Sequence, residues 1–167
     1  MAVKKSIAIV VATEKTGVQI SKQFAKNDCH LLLVSNNEKE LEQLLNRINS
    51  NQPKAEIDTI SCVKDGCWEA DIIILITATK DEKEIVDTIK EVATQKIVVQ
   101  ILSQPHDSIS LQQLLPYSKV VVIADISQSP SIMITGNDNE ANEEISMIFQ
   151  EAGYQSIICN SFLKQKQ

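Results

Sequence analysis

The chain has 167 residues, 43% of them hydrophobic and 23% charged, and this composition is typical of a folded globular domain and not of a disordered chain. The formal charge of −6 and the single arginine argue against a general nucleic-acid binder, because phosphate contacts need clustered lysine and arginine side chains. No apolar run approaches the roughly 20 residues that span a bilayer. We therefore expect a cytoplasmic protein with no nucleic-acid or membrane partner.

The first 35 residues have the pattern of a strand, a turn, a helix and a second strand. Residues 6–11 are mostly β-branched and almost uninterrupted, which is typical of a strand covered on both faces. Apolar residues at helical spacing follow over 18–25, and the apolar stretch 31–34 ends at Ser35. This order is the opening βαβ unit of a Rossmann-type fold, which usually binds the pyrophosphate of a dinucleotide at its turn.

The turn of this unit lacks two of the three glycines that a dinucleotide site uses. In the pattern G-x-G-x-x-G the glycines would fall at Ala12, Glu14 and Gly17, and only Gly17 is glycine. The second glycine lets the backbone approach the pyrophosphate, whereas Glu14 brings bulk and a negative charge that Lys15 is placed to offset. The turn therefore predicts either weakened nucleotide binding or no binding. The candidate cofactor-binding residues of this turn are Ala12, Thr13, Glu14, Lys15, Thr16 and Gly17.

The rest of the chain alternates between strand and helix patterns, without an internal repeat or a low-complexity linker. Helices are predicted over 38–49, 63–69, 82–93, 110–115 and 140–152, and strands over 55–60, 71–76, 96–102, 120–123, 131–135 and 155–159. Asp81 and Gly153 are the expected N-cap and C-cap of two of these helices. The pattern predicts one α/β domain over 1–167 with no separate substrate domain. Its doubly wound, mainly parallel sheet of about eight strands would lie between helices on both faces, in three layers.

Polar residues follow the predicted second strand at the position that selects between NAD and NADP. An acidic residue there would bond the ribose 2′-hydroxyl of NAD, but this chain has Ser35, Asn36 and Asn37. Without a carboxylate to repel a 2′-phosphate, NADP is favoured over NAD. The same three residues are equally compatible with an N-cap loop for the next helix.

Polar residues also follow three other strands whose carboxyl ends would share one edge of the sheet. Thr77, Ala78 and Thr79 come after the central strand, at the expected topological switch point. Ser103 and Asp125 end the next two strands. These residues are candidates for lining a cofactor pocket, with ordinary loop roles as the alternative, and no catalytic residue can be named.

The four cysteines and two histidines indicate structural roles. None of the cysteines forms C-x-x-C, and no histidine cluster accompanies them, so no metal site is predicted. We expect reduced thiols, with a redox-active pair as the alternative, Cys62 and Cys67 on different faces of a short helix, and a structural His30.

Several segments together resemble the dinucleotide domain of the NADP-dependent deazaflavin (coenzyme F420-type) oxidoreductases. The matching stretches are 7–10 with Gly17, 70–75, 96–99, 111–121, 135–141 and 152–154. The resemblance implies an NADP(H) cofactor and a deazaflavin or flavin as the second redox partner. Glu14 departs from the family's glycine-rich loop, which Thr13 and Gly17 match, and Asn36 stands where the family usually has arginine.

The resemblance also implies where a second substrate would bind. In the family a further C-terminal portion completes the hydride-acceptor site, and we expect that portion to be absent or reduced here. The missing surface would then come from the cleft edge, residues 104–109 and 125–130, or from a second subunit in a homodimer.

Two other functions compete with an NADP(H)-dependent oxidoreductase. One is a degenerate Rossmann domain that serves as a binding or protein-interaction module without redox turnover. The other, weaker, is a flavodoxin-like FMN site, because Thr13 and Thr16 partly mimic a hydroxyl-rich phosphate loop. The aromatic content of 4% leaves little to stack on a flavin ring.

Overall fold

The structure, a computed structural model, describes residues 4–10, 15–76, 82–102, 111–124 and 131–159. In these residues, strands and helices alternate in the order expected from the sequence. The strands are β1 Ser6–Val10, β2 His30–Val34, β3 Glu56–Ile60, β4 Ile72–Ile76, β5 Ile97–Leu102, β6 Lys119–Ala124, β7 Ser131–Gly136 and β8 Gln155–Ile158. The helices are α1 Lys15–Phe24, α2 Glu38–Asn49, α3 Val63–Glu69, α4 Glu82–Ile89, α5 Leu111–Leu114 and α6 Asn139–Glu151.

The strands form one sheet in the order β3-β2-β1-β4-β5-β6-β7-β8. Every neighbouring pair is parallel except β6 and β7, which are antiparallel. The first six strands have the order of a Rossmann fold, in which the chain moves outward from β1 in one direction and then from β4 in the other. The predicted fold class is confirmed.

The helices cover the two faces of the sheet in two separate groups. One apolar core joins the sheet to α1, α2 and α6, through side chains such as Phe24, Leu44 and Phe149. A second core on the opposite face joins it to α3, α4 and α5, through Cys67, Ile89 and Leu111. Burial on both faces explains why β1, β4 and β5 are apolar at successive positions instead of alternating.

Asn37 is the N-cap of α2, the C-cap of α6 is Ala152 and not the predicted Gly153, which follows it, and one helix is shorter than predicted. Asn37 caps α2 by accepting from Glu40 N at 3.2 Å, and Gly153 follows α6 with a φ of +100° that favours glycine. The predicted helix 82–93 ends at Ile89 and is followed by turns in which the Ile89 carbonyl accepts the amides of Val92 and Ala93 and Gln95 has a φ of +67°. The predicted cap Asp81 lies outside the described residues.

Aromatic contacts hold the end of α1 against α6. The rings of Phe24 and Phe149 meet edge to face with centroids 4.9 Å apart, and Tyr154 lies 5.5 Å from Phe149. Such pairs contribute about 0.5–1.5 kcal/mol each beyond the area they bury. This packing fixes the direction of α1 and therefore the position of its first turn at the other end.

Candidate functional site

The ends of β1, β2 and β4 lie side by side at the carboxyl edge of the sheet. Val10 pairs with Val34 of β2 on one side and with Leu75 of β4 on the other. The helix that follows β1 packs on one face of the sheet and the helix that follows β4 packs on the opposite face. In folds of this class, ligands bind in a crevice at the carboxyl ends of neighbouring strands whose helices lie on opposite faces, and β1 and β4 meet that description here.

The first turn of α1 begins at this crevice. Lys15 is exposed, Thr16 is half-buried and Gly17 is buried. Ser21, which is also buried, lies one turn after Gly17, and its hydroxyl donates to the Gly17 carbonyl at 2.6 Å. Because the amides of a first helical turn have no partner within the helix, they attract anions such as phosphate. Ala12, Thr13 and Glu14 lie outside the described residues.

The residues after β2 adopt the capping arrangement that the sequence left open as one alternative. The buried Ser35 accepts the Asn37 amide on its hydroxyl at 3.2 Å, and the Ser35 amide donates to the Ile60 carbonyl at 3.3 Å. The side chain of Asn37 is committed to capping α2. Asn36 is exposed, and its side chain has no hydrogen-bond partner among the described residues.

The register brings two of the predicted groups to one edge of the sheet. Residues 15–17 belong to the helix that follows β1, and residues 35–37 directly follow the neighbouring β2. Thr77, Ala78, Thr79, Ser103 and Asp125 lie outside the described residues, so their place in the pocket stays a prediction. No carboxylate occupies positions 35–37, although Glu38 and Glu40 stand in the first turn of α2.

Cys29, Cys67 and His30 lie toward the amino edge of the sheet, away from this crevice. Burial raises the pKa of the Cys29 thiol to about 11 and that of Cys67 to about 12, which keeps both protonated at neutral pH. Cys62 is exposed and directly precedes α3 instead of lying within it. At the amino end of β2, His30 contacts the Asp58 carboxylate at 2.6 Å. Among the described residues, no group of three or more potential ligands is arranged to hold a metal ion.

Sequence reasoning missed the glycine that positions the end of β2. A Cβ built on the buried Gly66 of α3 would lie 2.6 Å from Cγ2 of Val34, the residue directly before Ser35. α3 therefore approaches the strand so closely that a larger residue at position 66 would force the Val34 side chain or the helix to shift. The sequence did contain a signal for this close approach, a glycine inside the short helix predicted over 63–69.

Comparison with solved structures identifies the fold. No protein-family model matches the chain, and no curated protein matches it in sequence. A protein described as a candidate F420-dependent NADP-reductase from Arthrobacter sp. FB24 superposes with a TM-score of 0.73 at 16% identity, over 92% of this chain and 83% of that one. At this identity the likeness shows a shared fold.

Larger enzymes share the same fold. (S)-3-Hydroxybutyryl-CoA dehydrogenase from Ralstonia eutropha gives a TM-score of 0.72 at 14% identity, over 93% of this chain and 63% of that one. Pyrroline carboxylate reductase from Plasmodium falciparum, solved with NADP bound, gives 0.71 at 11% identity, over 94% and 58%. The chain thus spans less than two thirds of the length of these two enzymes. It has the Rossmann-type fold of NAD(P)-dependent reductases and dehydrogenases.

Proposed function

We propose that residues 1–167 form a single cytoplasmic NADP(H)-binding domain that serves an oxidoreductase reaction. The observation that carries the proposal is the buried Gly17 in the first turn of α1, beside the crevice between β1 and β4. This is where the pyrophosphate of a dinucleotide lies in such folds. Residues 12–17 would hold the pyrophosphate, and 77–79, Ser103 and Asp125 would line the nicotinamide side.

The preference for NADP(H) is supported by the end of β2. Ser35 and Asn36 place hydroxyl and amide groups, and no carboxylate, where the adenosine ribose would lie. Asn36 is exposed and free of other partners in the described part of the chain, so its amide is available to a 2′-phosphate. The exposed Lys39 in the first turn of α2 adds one positive charge nearby, between the carboxylates of Glu38 and Glu40.

A bound nicotinamide would supply the hydride chemistry, and the protein would supply orientation and electrostatics. None of the helices in the described part of the chain has the length and apolarity that crossing a membrane requires.

We propose that the second substrate, a deazaflavin or a flavin, binds at the cleft edge formed by 104–109 and 125–130, or against a second copy of the chain.

Thermal unfolding with added nucleotides tests this proposal. A ligand at 100 times its Kd stabilises the folded state by roughly 2.7 kcal/mol, and each kcal/mol raises Tm by about 2–4 °C for a chain of this size. We expect a saturable increase in Tm with NADPH that exceeds the increases with NADH and FMN. No increase at millimolar nucleotide would contradict the proposal and favour the protein-interaction module instead.

Glu14→Gly tests whether residue 14 opposes the pyrophosphate. Removing a like charge near ~4 Å relieves about 1 kcal/mol in water-like surroundings, so we expect NADPH to bind roughly fivefold more tightly. Isothermal titration calorimetry measures the change. Glu14→Gln serves as the matched control, because it removes the charge and keeps the bulk. Unchanged affinity in both variants would mean that Glu14 does not face the phosphates.

A further inference from the structure

A second cavity lies at the opposite, amino edge of the sheet. It lies between the end of α1, the end of α2 and the segment that enters β3, with a volume of about 450 Å³. Since α1 rises about 1.5 Å per residue over its 10 residues, this cavity is roughly 15 Å from the crevice described above. Its walls are formed by Lys22, Gln23, Ala25, Lys26, Ile48, Asn51, Gln52, Pro53 and Lys54.

The charge of this amino-edge cavity is opposite to that of the protein. Lys22, Lys26 and Lys54 line it and no aspartate or glutamate does, in a chain whose formal charge is −6. Within the described residues, none of these three lysines forms an ion pair with a carboxylate. Of the three lysine side chains, only that of Lys26 has a polar partner in the described part of the chain, the Gln23 side-chain oxygen at 2.9 Å.

The carbonyl groups at the ends of α1 and α2 do not need the lysines as hydrogen-bond donors. The last carbonyls of α1 accept other donors: Gln23 O accepts Lys26 N at 3.2 Å and Phe24 O accepts Asn27 N at 2.9 Å. At the end of α2, Arg47 O accepts the Ser50 hydroxyl at 2.7 Å. The next two carbonyls there accept backbone amides. No lysine ammonium of the cavity donates to a carbonyl of either helix in the described structure. The carboxyl ends of the two helices together carry roughly one negative charge, so the three lysines leave a net charge of about +2 for a ligand.

The other residues that line the cavity indicate which further groups a ligand would carry. Ala25 and Ile48 are 3% and 2% exposed, so the partly exposed Pro53 and the methylene stems of the lysines form most of the apolar floor, and no aromatic residue lines the cavity. Lysine commonly binds phosphate as a point charge, and a phosphate monoester with a charge of about −2 matches several lysines better than a single carboxylate does. The single arginine of the chain does not line the cavity.

We propose that the amino-edge cavity is a binding site for a small organic phosphate, with the phosphate among Lys22, Lys26 and Lys54 and its apolar body on the floor. This site is separate from the proposed dinucleotide site and does not depend on it. Its volume lies within the range of about 300–1,000 Å³ that small-molecule pockets occupy.

Titration of the 15N-labelled protein with phenyl phosphate, followed by backbone amide NMR, tests the proposal. We expect saturable shifts at residues 22–26 and 51–54, with a Kd below about 10 mM and at least roughly threefold below that of inorganic phosphate. The shifts should persist with NADPH present. Shifts centred on Thr16 and Gly17 would place phenyl phosphate at the dinucleotide site and overturn the proposal, as would shifts that do not saturate.

A matched pair of double variants separates a built site from general charge attraction. Lys22→Ala/Lys54→Ala should weaken binding roughly fivefold or more. Lys64→Ala/Lys90→Ala removes the same charge from exposed lysines of α3 and the turn after α4, and should leave binding within about twofold. Equal losses in the two variants would overturn the proposal. Amide spectra of both variants without ligand verify that each is folded.

Discussion

Asn36 is the residue at which the proposed preference for NADP(H) can be reversed. Its side chain is exposed and has no partner in the described residues, so Asn36→Asp should leave stability nearly unchanged. A carboxylate there would repel a 2′-phosphate and accept from the ribose hydroxyl of NADH. We expect NADPH to bind roughly tenfold more weakly and NADH more tightly, as measured by quenching of intrinsic fluorescence.

Asn36→Ala is the control, since it removes the amide without adding charge. It should weaken NADPH binding less than the aspartate variant and give no gain in NADH affinity. Equal losses for both nucleotides in Asn36→Asp would show that position 36 does not face the 2′-position. That result would remove the support for NADP(H) and leave the fold assignment intact.

At the scale of elements, Gly66 sets the distance between α3 and β2. Gly66→Ala would improve helix propensity by about 1 kcal/mol but would press a methyl group onto the buried, stiff side chain of Val34. Overpacking of this kind costs typically about 1–3 kcal/mol, so we expect a net loss of stability. Urea unfolding measures it, with Lys64→Ala on the exposed side of α3 as the control.

A second variant shows whether the clash with Val34 causes the loss of stability in Gly66→Ala. Gly66→Ala/Val34→Ala removes the side chain that the new methyl would meet, so the two substitutions should be less destabilising together than the sum of the separate effects. Strict additivity would contradict the contact. A shift of β2 in Gly66→Ala would also reach Ser35 and Asn36, so the single variant should weaken NADPH binding.

The elements could be predicted from the sequence wherever one periodicity dominated. Strand β4 is apolar throughout, β5 is apolar except at Gln100, and α2 carries Leu41, Leu44 and Ile48 at helical spacing, so their positions were clear. The end of α4 was predicted four residues too late, because Val92 and Ala93 continue the apolar pattern in the turns that lead to β5. Hydrophobic spacing reports which side chains are buried and does not distinguish a helix from a turn that buries the same residues.

The candidate site could be predicted only in outline. The sequence placed Gly17 and the residues after β2 at one edge, because a βαβ unit fixes that geometry. It could not decide that Asn37 would cap α2 and that Ser35 would accept the Asn37 amide, since capping and ligand binding use the same side chains. The lysines of the amino-edge cavity were also invisible, because Lys54 is distant in sequence from Lys22 and only the tertiary fold brings them together.

At the scale of the whole molecule, the two edges of the sheet differ in how they are protected. The edge strand β3 carries Glu56 and Asp58, which pair with Lys4 and His30. The opposite edge strand β8 has no charged residue. Its Ile157 is 58% exposed and lies beside Met133 of β7, which is 45% exposed. Charges on an edge strand discourage pairing with other chains, so β8 is the edge on which we expect association to begin.

Ile157→Lys tests this asymmetry. A charge at the centre of β8 should raise the temperature at which the protein aggregates, and the loss of a half-exposed side chain should change the free energy of unfolding by less than about 1 kcal/mol. Static light scattering during a thermal ramp, with unfolding followed by circular dichroism, separates the two quantities. The matched control is Thr59→Lys on the exposed surface of β3, where existing charges should make a further lysine ineffective. If both variants delay aggregation equally, net charge is responsible and the two edges are equivalent.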